Sequence, residues 1–224
     1  MLRLDPAPGT ADGRVLVFLP GFMSAASSYR MLLEPLTAQG ISVVVPQLYR
    51  RGPAVLAGRF TVEQEALAAA AVVRGEAGGR RDRTVVLGGH SRGGQAAWRA
   101  ANLLAAEGLP AALVLVDPVD GAGRRPEVPT ASAEPVAFRC PCLVIGAGIG
   151  GRCAPEPVNH RVFAAAAPDA RHVVVDSIGH GDVLDDRPAA TARRLCGGAE
   201  DPSPGRATVT ALVTDLVLTT TPMS

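Results

Sequence analysis

Residues 84–94 read TVVLGGHSRGG, the segment that most restricts what this chain can become. The apolar run Thr84–Leu87 predicts a strand buried on both faces. The Ala-rich stretch Gly94–Glu107 predicts a helix. Between them stands Gly89-His90-Ser91-Arg92-Gly93, a G-x-S-x-G pattern in the strand–turn–helix setting it requires. Such a turn forces the serine backbone into a strained conformation. Gly89 and Gly93 remove side chains that would collide there. The Ser91 hydroxyl then stands above the carboxyl edge of a sheet, with a helix N-terminus behind it to favour negative charge.

The rest of the chain repeats the alternation. Short apolar runs predict further strands at Val15–Leu19, Ile41–Val45, Ala111–Val116, Pro141–Ile145 and His172–Val175. Helical spacing appears in Tyr29–Ala38, through Met31, Leu32, Leu33 and Leu36. It appears again in Thr61–Arg74, where Thr61 and Gln64 form a capping-box pattern. Arg206–Leu218 reads as a helix or a strand, because Thr and Val suit both. The result is an α/β chain: a mostly parallel sheet of about six strands, joined by right-handed crossovers and flanked by helices. Residues 121–139 and 197–206 read as loops too short to separate domains, so one domain over 1–224 is expected.

Composition excludes several chemistries. Hydrophobic residues at 47% and charged residues at 19% describe a globular chain. The net charge of +1 offers no field for nucleic acid or an anionic membrane. All 22 basic residues are Arg, which removes any Lys nucleophile, Schiff base or P-loop. The opening MLRLDPAPGTADGR lacks the apolar core of a signal peptide, and no apolar run reaches the length of a membrane span. Cys140 and Cys142 flank a proline and lack zinc spacing. All the cysteines are read as buried thiols of a reducing, cytoplasmic protein; a Cys153–Cys196 bridge is open, but no spacing supports it.

A serine alcohol needs a base, and the base needs an acid to orient it. In a strand–elbow–helix chain they follow in the order Ser, acid, His. Asp117 directly leaves the strand Ala111–Val116 at the carboxyl edge, where sites of parallel sheets collect. Asp120 is the rival acid, with a turn-capping role beside Gly121 as its plain reading. His180 lies in a Gly-flanked loop after the last strand and is the expected base. His90 sits inside the elbow and points elsewhere, His160 opens a helix, and His172 opens a strand. Asp182, Asp185 and Asp186 influence His180 or simply cap the next helix. The oxyanion donors are expected to be the backbone N–H groups of Phe22 and Arg92, with Met23 in reserve. This chemistry requires no metal or organic cofactor.

The motifs GHSRGG at 89–94, VVVPQLY at 43–49, VDPVDG at 116–121, CAPEPVNH at 153–160 and GHGDVLDD at 179–186 resemble the chlorophyllases, in matching order. LVFLPGF at 16–22 resembles their oxyanion-loop strand. The resemblance spans about residues 15–187 and implies an α/β-hydrolase fold. It implies hydrolysis of the phytyl ester of chlorophyll to chlorophyllide and phytol, with Ser91, Asp117 and His180 as the triad. Phe22, Met23, Tyr29, Leu48 and Tyr49 are then candidate substrate-lining residues, with core packing the alternative for Tyr29 and Leu48.

Three departures accompany the resemblance. The first strand starts near residue 15, so the leading strands of the fold are reduced or missing. Pro20 stands where the family usually has His, and the loop after Ile145 is short. The expected partner is a small hydrophobic ester. A general carboxylesterase or lipase-like hydrolase is the alternative, followed by a non-catalytic binding protein on the same fold. Oligomeric state is not legible.

Overall fold

The computed structural model describes residues 1–48, 61–78, 83–121 and 127–221. Seven strands form one sheet: β1 (Leu2–Leu4), β2 (Arg14–Leu19), β3 (Ser42–Val45), β4 (Thr84–His90), β5 (Ala112–Val116), β6 (Cys142–Ile149) and β7 (Arg171–Gly179). Their order is β1-β3-β2-β4-β5-β6-β7. Every pairing is parallel except β1 with β3. The leading part of the sheet is therefore reduced to the short antiparallel strand β1, which sequence reading did not count.

Strand side chains alternate between two cores, as a period of two requires. Leu16, Phe18, Val43, Val45, Val86, Val114 and Ile145 face one side. There they meet Leu32 and Leu33 of α1 (Arg30–Leu33), Ala189 of α5 (Asp186–Cys196) and Val209, Val213 and Val217 of α6 (Ser203–Thr219). Val15, Val17, Leu19, Leu87, Leu113, Leu115 and Val144 face the other. That side is covered by Ala69, Ala70 and Val73 of α2 (Val62–Ala77), Trp98 of α3 (Arg92–Leu104) and Phe163 of α4 (His160–Ala166).

The chain leaves β2 toward one face and β4 toward the other. The crevice between their carboxyl ends is thus the switch point where parallel sheets bind ligands.

Local chemistry explains the departures from the expected elements. The segment 26–39 is a 3-10 turn, the short α1 and a second 3-10 stretch from Glu34 to Gln39; Pro35 lies at the junction and cannot donate into a continuous helix. The Thr61 capping box forms as expected at α2. Residues 203–219 are helical despite their β-branched content. Val209, Val213 and Val217 recur every fourth residue into the core, and Thr208, Thr214 and Thr219 return their hydroxyls to carbonyls four residues back.

The cysteine reading needs correction. Cys153 and Cys196 form a disulfide, with Cα atoms 5.2 Å apart. Glycines let the two loops approach: a Cβ on Gly151 would overlap the Cys196 carbonyl. Free Cys140 and Cys142 remain as thiols, and burial pushes Cys140 up to about 11. A reducing compartment was inferred from thiols throughout, and the bridge removes that ground.

Candidate active site

The backbone is strained where the site assembles. Among the described residues, the non-glycine residues with positive φ are Met23 (62°), Ser91 (56°) and Asp117 (40°). They stand just past the carboxyl ends of β2, β4 and β5, in conformations that each cost about 1–3 kcal/mol. Ser91 is held there by its N–H bond to the Val116 carbonyl and by its own carbonyl, which accepts from Gly94 and Val119. Gly93 is indispensable: a Cβ there would overlap the Leu19 and Pro20 carbonyls. The elbow and the loop after β2 are therefore in direct contact.

His180 follows the last residue of β7 and reaches back over the elbow. Its Nε2 lies 3.0 Å from Ser91 Oγ. Its Nδ1 lies 2.6 Å from Asp117 Oδ2. Since a carboxylate only accepts, Nδ1 carries the proton and Nε2 is free to accept from the serine hydroxyl. Asp117 is 3% exposed. Its Oδ1 accepts the Ala147 N–H at 3.0 Å. Burial works against its charge, but the hydrogen bond and charge of His180 and the Ala147 N–H outweigh it, so its pKa stays below the ordinary value.

Asp120, the rival acid, makes no contact with His180. Its Oδ1 accepts from Gln95 Nε2, Gly121 N, Thr130 Oγ1 and Ala131 N, and its Oδ2 from Ser132 N and Oγ. It ties Gly121 and residues 130–132 to Gln95 of α3, a larger version of its expected turn-capping role.

His90 and Tyr29 form a network that sequence reading missed. Tyr29 OH accepts the Gly21 N–H at 2.8 Å and lies 2.9 Å from His90 Nδ1. His90 Nε2 lies 2.9 Å from the His180 carbonyl. The carbonyl only accepts, so His90 is protonated on Nε2, and Nδ1 accepts from the tyrosine. Burial holds this arrangement neutral, pushing Tyr29 up to about 12 and, with the His180 charge, His90 down to about 3. One chain of hydrogen bonds thus joins the loop after β2, the elbow and the His180 turn.

Arg92 is likewise committed. Its Nε and Nη2 meet the buried Glu65 carboxylate at 2.9 Å each. Its guanidinium lies 5.5 Å from the Phe22 ring centroid. The pair fixes the residue after Ser91 to α2. A Glu in the buried stripe of an Ala-rich helix was the available signal.

Above Ser91 opens a cleft of about 820 Å³. Phe22, Val119, Pro157, Leu184 and Leu195 supply apolar walls, the Cys153–Cys196 bridge lies in one of them, and Arg152 and Glu127 add charge. Phe22 and Arg92, the expected oxyanion donors, both line it.

Of the other expected lining residues, Tyr29, Leu48 and Met23 are not among those that line the cleft. Tyr29 is 0% exposed, its ring in the core and its hydroxyl in the network above. Leu48 packs against the α2–α3 core. Met23 is 62% exposed and does not line the cleft. Tyr49 lies outside the described residues. His160 opens α4 and pairs with His172 at 2.8 Å, away from Ser91.

Among the described residues, no cluster of three or more His, Cys, Asp or Glu could hold a metal ion, and no helix is long and apolar enough to cross a membrane.

The family model described as Chlorophyllase matches residues 7–219. A chloroplastic chlorophyllase-1 of Citrus sinensis is 31% identical over 235 residues, covering 95% of this chain and 70% of the relative. Chlorophyllase-2 of Arabidopsis thaliana is 30% identical over 238 residues, covering 90% and 71%. An esterase of Thermogutta terrifontis, solved with propionate bound, has a TM-score of 0.65 at 18% identity, over 96% of this chain and 87% of that one. A dienelactone hydrolase of Anabaena variabilis has a TM-score of 0.64 at 19% identity, over 96% and 89%. The likeness to these two solved structures is one of fold.

Proposed function

Because the chain belongs to the chlorophyllase family and is a carboxylic ester hydrolase, we propose that it cleaves the phytyl ester of chlorophyll through an acyl-enzyme on Ser91. The observation that carries the reading is the unbroken chain Ser91 Oγ–His180–Asp117 at the floor of a largely apolar cleft.

Ser91 Oγ attacks the ester carbonyl carbon while His180 Nε2 takes its proton. Asp117 holds the Nδ1–H and offsets the imidazolium charge. The backbone N–H groups of Phe22 and Arg92 receive the oxyanion. The carbonyl re-forms, the carbon–oxygen bond to phytol breaks, and His180 protonates the leaving alcohol. Water then attacks the acyl carbon, giving its proton to His180. Collapse releases chlorophyllide as the acid, and the proton returns to Ser91. The hydrocarbon alcohol suits walls of Phe22, Val119, Leu184 and Leu195.

The test is incubation of purified protein with chlorophyll a and, separately, with p-nitrophenyl butyrate. Chlorophyllide and nitrophenolate are both expected, and both vanish in Ser91→Ala. Nitrophenolate alone favours a general carboxylesterase, a reading that Arg152 and Glu127 in the cleft suit. Silence on both overturns the hydrolytic assignment and leaves a binding protein on this fold.

A further inference from the structure

His180 rides on a turn between β7 and α5, and a carboxylate that the hydrolytic steps do not use braces this turn. Asp182 is 0% exposed. Its Oδ2 accepts the Gly179 N–H at 2.8 Å on one side and the Ala199 N–H at 2.7 Å on the other. Gly179 immediately precedes His180; Ala199 belongs to the segment after α5. The Asp182 carbonyl accepts from Nε of the buried Arg206 at 3.1 Å. Its Oδ1 has no hydrogen-bond partner among the described residues and lies 3.9 Å from Arg193 Nε.

This is not helix capping. Asp185 occupies the N-cap position of α5, and Asp182 bonds none of the first-turn N–H groups. Instead Asp182 fastens one segment to another. Arg193 grips the same segment from its carbonyl side, through Ala199 O at 3.0 Å and Glu200 O at 3.2 Å. Cys196, the last residue of α5, leads into that segment and is bonded to Cys153, and both line the cleft. Gly179 and Gly198 meet backbone to backbone beneath it.

A buried carboxylate is a costly way to satisfy two amides, since a neutral acceptor would do so with less desolvation. What it fixes is the turn that carries the base. We propose that Asp182 is a positioning residue for His180, acting against the segment 196–200 that the Cys153–Cys196 bridge anchors. Opening the bridge and removing Asp182 therefore damage turnover by the same route. The inference rests on His180 being the base.

The experiment uses p-nitrophenyl butyrate, so that the chlorophyll reading does not enter. Asp182→Ala lowers kcat by about 10- to 100-fold, the cost of a misplacement on the order of 1 Å, while KM changes little. Asp182→Asn, which keeps an acceptor oxygen, restores most of the rate. The low-field proton of His180 Nδ1–H, read by NMR, broadens or disappears in Asp182→Ala and persists in Asp182→Asn; this readout needs no turnover. Dithiothreitol supplies two electrons and two protons, converts the bridge into two thiols and leaves as its cyclic disulfide. Reduced wild type loses kcat reversibly. Reduced Asp182→Ala loses little more, because effects through a shared segment are not additive.

Folding of each variant is checked by circular dichroism. A folded Asp182→Ala with wild-type kcat and an intact Nδ1–H signal overturns the proposal, as do fully additive effects of reduction and Asp182→Ala. Failure of the hydrolytic reading looks different: the wild type is then silent, or Ser91→Ala keeps the wild-type rate, whatever happens at Asp182.

Discussion

Asp117→Asn separates the proposed triad acid from its neighbour, and the structure sets the orientation of the new amide. The Ala147 N–H points at one carboxylate oxygen, and His180 Nδ1 lies 2.6 Å from the other. Turning the NH₂ toward Ala147 would face two donors in a buried site, at about 1–3 kcal/mol. The amide oxygen therefore stays on Ala147 and the NH₂ faces His180. It can only donate, so the imidazole proton moves to Nε2. The atom that should accept the Ser91 proton is then already occupied. A loss on the order of 10⁴ in kcat follows, as for a triad acid elsewhere, equal to about 5.5 kcal/mol. Asp120→Asn acts on a different quantity. One of its two oxygens becomes a donor facing the N–H groups of Gly121 and Ala131 or that of Ser132, costing about 1–3 kcal/mol of stability, or about 2–12 °C in Tm for a chain of this size. Steady-state rates on p-nitrophenyl butyrate and thermal melts are taken for both variants. A folded Asp117→Asn that retains a tenth of the wild-type kcat, or an Asp120→Asn that loses more, would refute the assignment.

Other expectations follow from the same geometry. Tyr29→Phe strands the Gly21 N–H and His90 Nδ1, and denaturant titration should show a loss of about 2–6 kcal/mol, counted as two orphaned buried groups. His90 is held neutral with its pKa at about 3, below the unfolded value of about 6.5. The unfolded chain therefore binds a proton that the native chain does not between those values. Stability is full above about pH 6.5 and falls toward pH 3, by up to about 1.4 kcal/mol per pH unit. Urea titrations at pH 7, 6 and 5 should show a shallower fall in His90→Gln, and equal slopes would contradict the account. Gly93→Ala drives a Cβ into the Leu19 and Pro20 carbonyls, so soluble yield and Tm should both drop sharply.

The central strands were legible because burial on both faces leaves only apolar runs, as in Val15–Leu19 and Ala112–Val116. Ser91 was legible because its turn demands Gly89 and Gly93, and the positions of Asp117 and His180 followed from strand order. Other features carry no comparable local mark. Leu2-Arg3-Leu4 is a strand only because β3 offers it an edge. Tyr29 lies on an apolar helical stripe, and such a stripe says nothing of where a hydroxyl ends. Glu65 sits in the apolar stripe of α2, but that position does not name Arg92 as its partner. The partner of Cys153 is fixed by where the loop after β6 meets the end of α5, which is a tertiary fact. Val and Thr left residues 206–218 undecided, and only the core contacts of α6 settle them.

The bridge also changes the unfolded protein. Cys153 and Cys196 are 43 residues apart, and the ring they close contains α4, β7, His180 and α5. Ser91 and Asp117 lie on open chain outside it. In the loop-entropy picture, a ring of that size removes about 4 kcal/mol of freedom from the denatured ensemble. A protease cut anywhere inside the ring leaves two fragments still joined, so a nicked protein migrates as one species until it is reduced.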